Sequence, residues 1–168
     1  MKNIISVLII IITADLGHAQ TVDFDLISYN GLNFNTSKAE ILEVLGQPER
    51  IYKPNHDCGF LSADTQHSEY LTLDYGTIKF TGNDKESFLL EQINFETNDS
   101  ITLKYGNYDL THQTGLTKLM EIFGKELEKH FDRNTTKSMV IFRKEGDDGI
   151  RITLKNGKLI RFEYWSPC

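Results

Sequence analysis

The densest run of chemically competent side chains is KPNHDCGF, where Asn55, His56, Asp57 and Cys58 are consecutive. A cysteine nucleophile needs a histidine base within hydrogen-bond reach and an electropositive setting that favours the thiolate. Adjacent loop residues point in different directions, and the acidic Asp57 disfavours a thiolate beside it. His67, His112 and His130 are further candidate bases, but nothing in the sequence brings them to Cys58. The competing use of Cys58 is structural. The other cysteine is Cys168, the last residue, and an even count in an exported chain reads as a disulfide. A Cys58 to Cys168 bond would stabilise by about 3 to 5 kcal/mol, mainly by restricting the unfolded chain.

Metal, phosphate and acid-base readings find less support. His56, Asp57, Cys58, Asp64 and His67 lie close together but show neither C-x-x-C nor H-x-x-x-H spacing. Asp147, Asp148 and Gly149 lack the alternating oxygens of a calcium loop. Glycines sit singly at turns rather than in a phosphate-binding loop, and no carboxylate pair stands at a strand end among apolar neighbours. The expectation is no catalytic residue, no metal and no cofactor. A small extracellular hydrolase working between His56 and His67 is the alternative of another class.

The elements that would carry these residues follow a leader. MKNIISVLIIIITADLGHAQ has one lysine, an apolar run from Ile4 to Ile12, and small residues Gly17 and Ala19 before a cleavage point at Gln20. That order predicts a signal peptide over 1–19, and the run is short of the roughly 20 apolar residues of a membrane span. Residues 20–168 then form one exported domain, periplasmic or extracellular. A net charge of −6, from 18 Lys and Arg against 24 Asp and Glu, argues against a nucleic-acid partner.

The mature chain reads as two similar halves, about 22–98 and 99–168. In NTSKAEILEVLGQPE, Ser37 and Glu40 form a capping pattern, Ile41, Leu42, Val44 and Leu45 an apolar face, and Gly46 and Pro48 a stop. In QTGLTKLMEIFGKELEKHF, Thr114 is the expected cap, Leu116, Leu119, Met120 and Phe123 recur at helical spacing, and Gly124 stands where Gly46 stood, 78 residues on. Each helix is preceded by a hairpin, at Asn30-Gly31 and Gly106-Asn107. Each is followed by three alternating strands, with Asp148-Gly149 and Asn156-Gly157 as tight turns in the second set. The predicted fold is α+β: two tandem repeats, each a short helix packed on a curved antiparallel sheet.

The row NGLNFNTSKAEILEVLGQPERIY resembles the helix-entry motif of the SmpA/OmlA-like and β-lactamase-inhibitor-protein-like superfamily. It is also similar to uncharacterised secreted bacterial proteins whose repeats begin with the same hairpin. The resemblance implies tandem helix-on-sheet units that bind other proteins, as envelope assembly components or enzyme inhibitors, without a catalytic centre. The second copy, FGKELEK, lacks the proline, and no lipoprotein cysteine follows the leader.

Alternation across the strands then nominates a surface. Burying Ile150, Ile152 and Leu154 turns Arg151, Thr153 and Lys155 outward; burying Ile160, Phe162 and Tyr164 exposes Arg161, Glu163 and Trp165; burying Leu71, Leu73 and Tyr75 exposes Tyr70, Thr72 and Asp74. Tyr70, Thr72, Asp74, Arg151, Arg161, Glu163 and Trp165 are the expected binding face, and another protein the expected partner. An inhibitor or immunity-type protein of an exported enzyme is the first functional expectation, and envelope assembly the second.

Overall fold

The computed structural model describes residues 21–54, 69–98, 100–131 and 136–167. Local chemistry sets the first helix. Asn30 and Gly31 take φ of 49° and 84°, the pair of positive angles that turns β2 (Ile27–Tyr29) back into β3 (Leu32–Asn33). Ser37 Oγ accepts from the Glu40 amide at 3.2 Å, and Glu40 Oε2 accepts from the Ser37 amide at 2.9 Å, which closes a reciprocal cap on α1 (Lys38–Leu45). Gly46, at φ 76°, ends the helix with its amide on the Leu42 carbonyl at 3.0 Å.

The second helix, α2 (Leu116–Phe123), ends the same way, with Gly124 at φ 104° donating to the Met120 carbonyl at 2.9 Å. Its start differs from expectation. The N-cap is Gly115, without a side-chain cap bond, and Thr114 does not cap the helix. The Thr114 hydroxyl instead accepts from the Thr111 amide at 2.8 Å, which tightens the preceding turn and leaves Thr114 buried. With no proline after Gly124, the chain runs on into a 3-10 turn over Lys125–Lys129 that buries Leu127.

Two sheets complete an α+β fold. The larger has β1 (Thr21–Val22), β11 (Lys137–Arg143), β12 (Gly149–Lys155), β13 (Lys158–Trp165), β8 (Phe88–Asn94), β7 (Ile78–Gly82), β6 (Leu71–Asp74) and β5 (Arg50–Tyr52) side by side in that order; β4 (Asn35–Thr36) pairs the start of β8. All pairings are antiparallel except β1 with β11. The smaller sheet orders β10 (Tyr108–Leu110), β9 (Leu103–Tyr105), β2 and β3. The strands after α1 and those after α2 meet where β8 pairs β13, with Ile93 opposite Phe162.

Asn156 and Gly157, at φ 52° and 73°, make the expected turn between β12 and β13. Asp148-Gly149 does not. Gly149 is the buried first residue of β12, opposite both Phe142 and Trp165, and it lacks the positive φ of a tight turn. Glycine is required there by close approach: a Cβ would run into the Ile141 carbonyl oxygen and stand 2.9 Å from the Phe142 Cα.

One face of the larger sheet builds the core. Leu73, Phe80 and Leu90 form one cross-strand row, and Ile78, Ile93, Phe162 and Ile152 another, all buried. Ile41 of α1, Leu119 and Phe123 of α2, and Ile27, Leu32, Leu103 and Leu110 of the smaller sheet join the same cluster; the Tyr105 and Phe123 rings lie 4.8 Å apart. Burying each such side chain contributes about 1.5 to 3 kcal/mol, so the packing outweighs the weak propensity of two eight-residue helices. Among the described residues no helix is long and apolar enough to cross a membrane.

Candidate binding face

The other face of the larger sheet is polar, and strand register assembles it. Direct cross-strand partners share a face. Arg50, Asp74, Lys79, Gln92, Glu163, Arg151 and Val140 are successive partners across seven strands. A second row runs Asn94, Arg161, Thr153, Ser138. A third runs Trp165, Gly149, Phe142, and because Gly149 has no side chain the two rings meet above it, centroids 5.5 Å apart and planes at 89°. Phe142 is 47% exposed, a large apolar side chain on a strand paired by β12 on one side and β1 on the other.

Several charges on this face are paired with one another. Asp74 is fully buried and accepts from Arg50 Nη2 at 2.7 Å and from the Gly76 amide at 2.8 Å, with Lys79 Nζ 4.0 Å away. The register slips between Lys79 and Phe80, so that Glu91 is an extra residue; Thr81 Oγ1 donates to Glu91 Oε2 and lies 2.7 Å from Thr72 Oγ1. Burial raises the Glu163 carboxyl above the ordinary value of 4.5, against the opposing attraction of Arg161 and Arg151; Glu91 adds to the rise and Lys79 works against it. Arg161 Nη1 is 3.8 Å from Glu163 Oε1, while its buried Nε has no hydrogen-bond partner among the described residues. At the corner of the face, the bond from Lys155 holds the Glu96 carboxyl below its usual value.

Of the residues expected on a binding face, Arg151, Arg161, Glu163 and Trp165 lie together here, each half-buried. Tyr70 is half-buried before β6, its hydroxyl 3.1 Å from Glu86 Oε2. Thr72 and Asp74 are not exposed, at 1% and 0%: the first is closed in a hydroxyl pair with Thr81, the second beneath Arg50 and Lys79. Thr153 is likewise buried, its hydroxyl 2.9 Å from Ser138 Oγ. The expected Cys58 to Cys168 disulfide, and His56, Asp57, Asp64 and His67, lie outside the described residues. Lys79 and Gln92 follow from the same alternation in TIKFTG and FLLEQINFET. Glu91 depends on a register slip that no local pattern announces, and Phe142 on the pairing that sets it beside Trp165.

Among the described residues no three His, Cys, Asp or Glu side chains converge as metal ligands. An open cleft of about 530 Å³ lies at the start of α2, lined by Gln113, Leu116, Met120, Phe131, Asn156 and Lys158 among others; Lys158 Nζ is held by Gln113 Oε1 at 2.6 Å. No protein-family model, curated protein or solved structure matches the chain.

Proposed function

We propose that the chain is a non-enzymatic protein that binds another protein through the polar face of its larger sheet. The observation that carries this reading is the Phe142 and Trp165 pair, edge to face over Gly149, with Arg151, Arg161 and Glu163 beside it on the same face. Trp and Arg set on rigid strands match the composition of interface hot spots, and strands present them with little ordering entropy left to lose on binding. The charges of both signs on the face, Arg50 with Asp74 and Arg161 with Glu163 among them, favour a partner of complementary pattern over a uniformly charged polymer.

The same proposal takes the chain as an exported tandem repeat. Its support is the offset of 78 residues that relates Gly46 to Gly124 and Ile41 to Leu119, with a hairpin before each helix and paired strands of the larger sheet after it, β5 to β8 after the first helix and β11 to β13 after the second, so that β5 is an extra strand of the first half. Within this class an inhibitor or immunity-type protein of an exported enzyme comes first and an envelope assembly component second, on the resemblance of the hairpin-to-Pro48 row. The Cys58 to Cys168 disulfide belongs to the exported reading.

Affinity capture from envelope extract, run in parallel with an Arg161→Glu, Trp165→Ala double variant, tests the face. A partner retained by the native protein and lost by a variant of unchanged melting temperature is the expected result. Equal recovery of every partner by both proteins contradicts the assignment.

A further inference from the structure

β11 is seven residues long, yet among the described residues its outer edge is paired at only two of them. β1 runs beside Phe142 and Arg143, and among the described residues nothing pairs with Lys137, Ser138, Met139, Val140 or Ile141 on that side. Such an edge offers a row of amide and carbonyl groups that template another strand. Edges are usually protected by proline, a bulge or several charges; this stretch has no proline, no slip in its register with β12, and one charge, Lys137. Met139 is half-buried on the core side with Ile141, and Val140 is half-buried on the polar face with Ser138.

The occupant that fits is the same edge of a second copy. The open stretch begins at Lys137 and is closed by β1 at Phe142, so its centre is Met139. Antiparallel pairing about a two-fold axis at that residue sets Met139 on the partner's Met139, Ser138 opposite the partner's Val140, and Lys137 opposite the partner's Ile141. This register opposes no like charges and joins the two cores through the methionines. It stops each strand where β1 already lies, and it closes on itself as an isologous contact must.

We propose that the chain forms a two-fold dimer through β11, in which the two larger sheets become one continuous sheet. The dimer goes beyond the binding reading and does not depend on it. One short strand pair with two half-buried side chains buries less than the roughly 1,200 Å² of a stable interface, so the dissociation constant falls in the micromolar range or weaker.

Sedimentation equilibrium of the purified protein from roughly 1 µM to 1 mM tests this, with the mean mass expected to rise towards that of a dimer. Ser138→Lys with Val140→Lys opposes lysine to lysine twice across the axis and is expected to weaken association at least roughly tenfold. Ser138→Glu with Val140→Lys makes both pairs attractive and is expected to restore it, a contrast that this register alone requires. Both positions lie on the polar face, so thermal melts confirm that each variant is folded. A monomer at every concentration overturns the proposal, as does a dimer that the two variants leave alone or weaken alike. A monomer whose outward Ser138 or Val140 amide resists hydrogen exchange overturns it too, because another segment of the chain then covers the edge.

Discussion

Asp74 and Arg50 make an ion pair with one member fully buried and the other 70% exposed, and that asymmetry sets the cost of cutting it. Asp74→Asn keeps the shape and the Oδ1 acceptor for the Gly76 amide, but it loses the charge that Arg50 and Lys79 face. Both cations reach solvent, so neither is stranded, and the loss is that of a charge-assisted hydrogen bond, about 1.5 to 3 kcal/mol. Arg50→Ala leaves the buried carboxylate with the Gly76 amide and with Lys79 at 4.0 Å. The exposure of Arg50 discounts its side of the pair, and about 1 to 2 kcal/mol is expected, above the ±0.5 kcal/mol of an ordinary surface change. The double variant removes both sides of one interaction, so it should cost less than the sum of the singles by about 1 kcal/mol. Equilibrium unfolding in urea of the native protein and the three variants measures all of these. Strict additivity with Arg50→Ala near neutral would refute the reasoning, because the burial of Asp74 would then be compensated without Arg50.

Three further outcomes follow from local geometry. Ser37→Ala removes the acceptor for the Glu40 amide and should cost about 1 kcal/mol in the same unfolding assay, whereas a Thr114→Ala loss should fall on the preceding turn and leave α2 helicity intact. Gly149→Ala must push β12 off the Ile141 carbonyl, so a loss of at least about 1 to 3 kcal/mol is expected in thermal melts; a native-like melting temperature contradicts the close approach. Glu163 binds its proton more tightly folded than unfolded, so the stability it contributes is full below its ordinary value of 4.5 and is lost as pH rises through the raised one. Glu163→Gln should therefore flatten that decline and be relatively more stable at neutral pH than in acid, compared with the native protein; an opposite slope would show that Arg151 and Arg161 outweigh burial.

Legibility divided along the range of the interactions. The Ser37 cap, the glycine stops at Gly46 and Gly124 and the Asn-Gly turns are readable because each is decided within a few residues. Thr114 and Gly149 mislead for the same reason: each has the right residue type beside the right element, but a Thr111 amide and an Ile141 carbonyl decide its role. Alternation separates the two faces of each strand and so finds Arg151, Arg161, Glu163 and Trp165. It cannot say that Arg50 and Lys79 close over Asp74, or that Thr81 meets Thr72, since those neighbours come from other strands. The sheet order, the slip that inserts Glu91, and the pairing of β1 with the end of β11 are set by tertiary pairing.

The most direct test of the binding face is photo-crosslinking in the envelope. A reactive side chain is placed at Phe142, Arg151 or Arg161, and, as controls, at Lys104 or Asp109 on the smaller sheet, where both side chains are 54% exposed. The account predicts one discrete partner protein crosslinked from all three face positions and from neither control. Crosslinks confined to the controls, or spread equally over both sheets, would contradict it.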